Sequence, residues 1–258
     1  MLMKYLALLA YVIAAPALAQ DFPGLVSARL LPGWMDAGGT RFSALELALE
    51  PGWKTYWRSP GDTGIPPRFD WADAQMGEVT LFWPAPEVFD GGGGRAIGYH
   101  DRLLLPFSVA PGADGPAEEL RAEVEFGLCR EVCVPVSVAL TAPGPGAPDP
   151  AIAAAIAAQP AAGDPALIHC AVEETGDGLR ITASLPADLG KDIVAELADP
   201  DIWVSEPDIT RDGARLTASF EAVAPSGKSF PLAGDAIRIT ALGGAQAVEF
   251  AACPLGGS

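Results

Sequence analysis

The sequence predicts an all-β protein: two immunoglobulin-like β-sandwich domains in tandem behind a cleaved signal peptide. Three observations carry this. Short runs alternating apolar and polar residues recur along the chain, while helical periodicity is nearly absent. Turn residues separate those runs, with 29 glycines and 25 prolines in 258 residues, a composition that favours many short strands. A proline- and alanine-rich stretch near the middle divides two such series of strands.

Met1–Ala19 reads as a secretory signal peptide, with Lys4 ahead of the apolar run Tyr5–Ala15 and a small-x-small site at Ala17-Leu18-Ala19. An uncleaved anchor is the competing reading, but the run is short for a bilayer span and is broken by Pro16. Once cleaved, the chain is expected to have no membrane insertion, and its cysteines to meet an oxidising compartment. The 33 acidic residues outnumber 16 basic ones, which argues against nucleic acid and anionic membranes as partners.

The first domain is placed at residues 20–142. Leu25–Leu31, Thr40–Glu50, Val79–Trp83, Tyr99–Val109, Leu120–Leu128 and Val134–Thr141 are its clearest strands. Trp53–Trp71 is an aromatic-rich passage around the proline- and glycine-dense loop Ser59–Pro67. Asp90–Gly94, one aspartate and four glycines, is expected to support no regular element. Residues 143–165 form the linker, with a short helix expected at Ala151–Gln159. From 166 to 258 the second sandwich has strands at Leu167–Glu173, Leu179–Leu185, Ile202–Ser205, Arg215–Phe220, Ala236–Ala241 and Ala247–Ala252. Lys191–Leu197 is expected to be one or two helical turns.

The four cysteines sort into two pairs. Cys129 and Cys133, in FGLCREVCVP, stand between two strand-like runs. In one continuous strand their Cα atoms would be about 13 Å apart, too far for a disulfide, so pairing requires a tight turn between them. Spacing alone leaves open a redox-active pair or a static turn staple. Arg130 would favour a thiolate there, while Glu125 and Glu131 would oppose it. Cys170 and Cys253 open and close the second domain and are expected to form a structural disulfide, worth about 4–5 kcal/mol in the chain-entropy model.

Other chemistries find little support. His100 and His169 fall in different domains, and Cx₃C has no partner pair at zinc-like spacing. No metal and no cofactor is expected, although copper handling through Cys129 and Cys133 remains an alternative. There is no G-x-S-x-G and no coherent Cys/His/Asn set for hydrolysis. A non-enzymatic exported binding module with structural disulfides is the other alternative.

Four segments in order, GWKTYWRSPGDTGIPP, WPAPEVF, IGYHDRLLLPFSV and LCREVCVP, resemble the N-terminal periplasmic domain of the DsbD thiol:disulfide interchange proteins, in the form of their ScsB-type branch. The likeness spans Leu25–Leu140. The resemblance implies an immunoglobulin-like domain in the periplasm with Cys129 and Cys133 as redox cysteines. It implies a membrane electron-transfer protein with paired cysteines as reductant and periplasmic thioredoxin-like or disulfide-bearing proteins as acceptors. It also implies a cap over the disulfide near Phe89–Gly98, with Phe89 and Tyr99 as candidates for the shielding ring, although glycines stand where an aromatic-bearing cap is expected.

Overall fold

The computed structural model describes residues 22–61, 64–71, 77–91, 94–113, 115–116 and 118–256; Met1–Ala19, expected to be a signal peptide, lies outside them. The first half contributes β1 (Leu25–Leu30), β2 (Trp34–Met35), β3 (Arg41–Leu49), β4 (Lys54–Tyr56), β5 (Arg68–Trp71), β6 (Val79–Leu81), β7 (Glu87–Gly91), β8 (Gly94–His100), β9 (Arg102–Val109), β10 (Leu120–Cys129) and β11 (Cys133–Ala142). Helix α1 (Pro150–Ala157) follows. The second half contributes β12 (Ala161–Ala162), β13 (His169–Glu174), β14 (Leu179–Pro186), β15 (Gly190–Leu197), β16 (Trp203–Val204), β17 (Asp208–Asp212), β18 (Arg215–Val223), β19 (Ile237–Gly243) and β20 (Val248–Phe250).

Each half is a pair of sheets around one core. In the first, the sheet β1-β3-β9-β6, with β2 on β3, faces the sheet β11-β10-β4-β8-β7, with β5 on β10. Leu45, Leu47, Leu105 and Phe107 from one sheet meet Val124, Phe126 and Leu128 from the other. In the second, β12-β20-β19-β15 faces β13-β14-β18-β16, with β17 on β18, around Ile181, Leu216, Phe220, Ile239 and Phe250. Among the described residues no helix is long and apolar enough to cross a membrane.

The helix forms where alanine content favours it, with Pro150 in its first turn and Asp149 accepting from the Ala151 N–H at 2.8 Å as N-cap. It packs against β9 and buries Ile152. The linker is therefore seated on the first sandwich. Arg41 fixes the same end of the domain: its fully buried guanidinium donates to the carbonyls of Glu118 (2.8 Å), Pro32 (2.9 Å) and Pro143 (2.5 Å). One buried side chain thereby ties three loop segments together through their carbonyls, which also satisfies its own donors.

Three expectations are corrected. Lys191–Leu197 is strand, not helix. Its alternation is hidden because both faces are buried, Ile193 and Ala195 in the second core and Val194 against the first. Asp90, Gly91 and Gly94 do carry regular structure: β7 and β8 pair antiparallel with Asp90 opposite Arg95 and Gly91 opposite Gly94, while Gly92 and Gly93 lie outside the described residues. A backbone ladder needs no side chains, so glycine weakens such a hairpin without forbidding it. Tyr99–Val109 is not one strand. The chain changes sheets at Asp101, at φ 57° the one positive-φ non-glycine among the described residues, a conformation aspartate tolerates better than most.

On the outer face of the first sheet Glu46 is almost fully buried. Burial alone would push its carboxyl up, but hydrogen bonds and charge from Arg29 and Arg102 (2.6 Å) outweigh it and hold the group below the usual range. A depressed folded-state pKa contributes stability that is present above the unfolded value, about 4.3, and is lost as pH falls through the folded one. Urea unfolding of the wild type and of Glu46→Gln should therefore differ most near neutral pH. The gap should close as pH drops from about 5 to about 3.

Candidate functional site

The alternation of β10 decides which way its last cysteine faces. Leu120, Ala122, Val124, Phe126 and Leu128 point into the core and are buried, so Arg121, Glu123, Glu125, Gly127 and Cys129 line the outer face. β11 pairs with β10 without a slip from Leu120 opposite Ala142 to Cys129 opposite Cys133. The two cysteines are thus the last cross-strand pair of a hairpin closed by Arg130-Glu131-Val132. They are joined as a disulfide with Cα atoms 4.1 Å apart. Both are half-buried, while the three turn residues are exposed, with Val132 71% accessible.

The next strand completes the surroundings. β4 pairs with β10 so that Lys54 lies opposite Cys129 and Thr55 opposite Leu128. Thr55 donates through Oγ1 to the Gly127 carbonyl at 3.0 Å, which ties the two strands. Tyr56 is on the same face as Lys54, and its hydroxyl is 2.9 Å from Cys133 Sγ. A disulfide sulfur carries no proton, so the phenol is the donor. Burial pushes the Tyr56 phenol up, which keeps it protonated at neutral pH.

Gly127 makes this possible. A Cβ there would sit 2.8 Å from two carbons of the Tyr56 ring and from Ile65 Cβ. The tyrosine ring therefore occupies the space that a side chain on β10 would fill, and Ile65 from the loop after β4 covers the same spot. Beside them an open groove of about 400 Å³ is lined by Ile65, Pro66, Arg68, Glu125 and Pro135. At the turn, the Arg130 guanidinium lies 5.9 Å from the centre of the Trp53 ring.

The two rings expected to shield the disulfide stand on opposite faces of the sheet. Tyr99 pairs with Thr55, faces the core with Leu128, and donates its hydroxyl to the Pro84 carbonyl at 2.8 Å. It is on the wrong side of the sheet to cover the disulfide, because the residue after it, His100, takes the outer face. Burial pushes its phenol up far more strongly than that of Tyr56, with Arg58 opposing. Phe89 is on the disulfide's side of the sheet, but its ring packs on His100 (4.8 Å) and under Lys54 Nζ (4.4 Å). His100 donates through Nδ1 to the Glu87 carboxylate at 3.1 Å. His169 is exposed in the second half, and among the described residues no group of three or more His, Cys, Asp or Glu side chains could hold a metal ion.

Tyr56, not singled out from sequence, is the side chain that the fold adds beside the disulfide. Its signal was Gly127: a lone glycine on the outer face of an otherwise regular strand marks the close approach of another group. Cys170 and Cys253 are also joined, with Cα atoms 5.6 Å apart and both fully buried. They tie β13 to the segment after β20, far from the groove.

Comparison with known proteins fits this geometry. The family model described as "Thiol:disulfide interchange protein DsbD, N-terminal" matches residues 27–145, the span that holds the first sandwich, the hairpin and Tyr56. No curated protein matches the chain in sequence. The N-terminal periplasmic domain of ScsB from Proteus mirabilis shares the fold of both halves, with TM-score 0.64 and 24% identity over 89% of this chain and 92% of that one. The reduced N-terminal domain of DsbD from Neisseria meningitidis aligns over 40% of this chain and 78% of its own, with 20% identity and TM-score 0.28.

Replacing Gly127 by alanine should lift Tyr56 and Ile65 from the strand and lower the unfolding free energy by about 1–3 kcal/mol. Gly144→Ala, whose added carbon would meet nothing nearer than 3.6 Å, should stay within about 0.5 kcal/mol of the wild type in the same urea titration. With the family model lying over the hairpin, its tyrosine and the sandwich that carries them, residues 27–145 form a DsbD N-terminal-type domain.

Proposed function

We propose that this protein is a periplasmic thiol:disulfide interchange module whose Cys129–Cys133 pair relays electrons from a membrane protein with paired cysteines to periplasmic thioredoxin-like or disulfide-bearing acceptors. The observation that carries the reading is the half-exposed cross-strand disulfide with a phenol hydroxyl on one sulfur, set in a DsbD N-terminal-type domain. Export by the segment Met1–Ala19 places the pair where such partners work. The branch assignment to ScsB-type proteins rests on the shared two-part fold.

The chemistry needs no cofactor. A partner thiolate attacks one sulfur of the disulfide, the Cys129–Cys133 bond breaks as a mixed disulfide forms, and the partner's second thiolate expels the reduced pair. Two electrons and two protons have then moved to Cys129 and Cys133, and the partner leaves oxidised. The reverse sequence on an acceptor disulfide discharges them.

Tyr56 gives the two cysteines different roles. A hydroxyl donating to Cys133 Sγ favours the charged form of that sulfur once the pair is reduced. Cys133 is then the better nucleophile toward an acceptor, and Cys129 resolves the mixed disulfide. By the same path reversed, an incoming thiolate attacks Cys133. The exposed turn with Val132 next to Cys133 and the groove beside Pro135 supply the contact surface around the attacked sulfur. Cys170–Cys253, buried on both sides, acts as a structural staple.

Both Cys129→Ser and Cys133→Ser should abolish reduction of a disulfide-bearing acceptor, but only Cys129→Ser, which keeps the nucleophile and loses the resolving thiol, should accumulate a mixed disulfide on a non-reducing gel. The potential of the pair should lie nearer −200 mV than −300 mV. A value below about −300 mV would mark Cys129–Cys133 as a static staple and the chain as a binding module.

A further inference from the structure

The segment that covers the disulfide is not held by its own sandwich alone. Tyr56 is followed by Trp57, whose N–H donates to the Ile97 carbonyl at 3.0 Å, and by Arg58, whose guanidinium lies 4.2 Å from the centre of the Trp57 ring. That guanidinium leaves the first half. Its Nε and Nη2 donate to the two carboxylate oxygens of Glu196 on β15 at 2.8 and 2.9 Å, and Nη2 also donates to Glu249 on β20. All three side chains are at least three-quarters withdrawn from solvent. A two-pronged, charge-assisted contact of this kind is stronger and more directional than an exposed ion pair.

A second link lies one strand away. Arg95 on β8 donates to Asp192 at 3.0 Å and to the Ile193 carbonyl at 3.4 Å, both on β15. The covering loop rests on that strand: the Ile97 N–H donates to Pro60 O at 3.0 Å, and a Cβ on Gly61 would stand 2.7 Å from the Arg95 carbonyl. Between these polar links Val194 and Leu242 of the second half are buried against the first core. The second sandwich thus grips the chain immediately after Tyr56 and the strand under the loop that leads to Ile65.

We propose that the second half is a brace for the disulfide's cover, with Arg58 as a positioning residue. Locked between Glu196 and Glu249, it holds Tyr56, and with it Ile65, down on Gly127 and so sets how readily a thiolate reaches the Cys129–Cys133 sulfurs. The proposal rests on the reading of that pair as the reactive one.

The test uses the full oxidised chain and dithiothreitol. One thiolate of the reagent opens a disulfide, the second closes the reagent into its cyclic disulfide, and the protein gains two thiols. Alkylation of the released thiols followed by peptide mass mapping separates the two disulfides. Arg58→Met should speed reduction of Cys129–Cys133 about tenfold by populating the uncovered state, and should leave Cys170–Cys253 at its wild-type rate. The double variant Glu196→Gln/Glu249→Gln, which leaves Arg58 in place, should act in the same direction and carries the test if Arg58→Met does not fold. Combined with Arg58→Met it should add less than the sum of the separate effects. Wild-type rates at Cys129–Cys133 in both variants would overturn the brace, and so would equal acceleration of both disulfides, which marks general loosening. A wild-type protein that is reduced by dithiothreitol but then never reduces the disulfide of a thioredoxin-like protein would instead remove the proposed relay and leave the brace standing.

Discussion

The site depends first on a register. In a strand with a two-residue period, sliding β11 by one position against β10 would turn every side chain of the hairpin to the opposite face. The pairing is fixed because five alternate residues of β10, Leu120 to Leu128, are committed to the core. With those five inside, Cys129 must be outside, and Cys133 opposite it must be outside as well. Burying the core and presenting the disulfide are one constraint, and the three-residue turn only has to close the end of a ladder already set.

That arrangement separates the two disulfides by environment. Cys170 and Cys253 are fully buried and span 83 residues, so their bond restricts a long stretch of the unfolded chain. Cys129 and Cys133 enclose three residues and lie half-open beside a groove, which leaves little entropy to gain and a sulfur within reach of another molecule. The hydroxyl of Tyr56 on Cys133 adds an asymmetry that neither cysteine has by itself. The tyrosine can lie there because β10 carries no side chain at Gly127, and it stays there under Ile65.

The second sandwich is more than an appendage in this arrangement. β15 is buried on both faces, one toward each core, so the two halves share a strand's worth of apolar contact as well as the Arg58 and Arg95 links. These contacts fall beside β4, which carries Tyr56 and pairs with β10, and beside β8, the next strand of that sheet. A domain that supplies no cysteine to the site still borders the elements that build it.

Much of this was legible in the residues. Alternation of apolar and polar positions gave the all-β class and most strands, and turn chemistry required a bend between Cys129 and Cys133. The four-segment resemblance pointed to a DsbD N-terminal-type domain. What failed did so where the local pattern was silent. Lys191–Leu197 loses its period because both faces are buried, Asp90 and Gly91 join a backbone ladder that needs no side chains, and Asp101 breaks a run that reads in sequence as one amphipathic strand. The assignment of shielding rings needed the face on which each aromatic stands, and that face is set by which strands lie side by side: Tyr99 turns inward beside Thr55, and Tyr56 turns outward onto Cys133. Residue order therefore determined that a cysteine pair would sit at a strand turn. Only the packing of β4 against β10, through contacts between residues more than seventy positions apart, decided which side chain covers it.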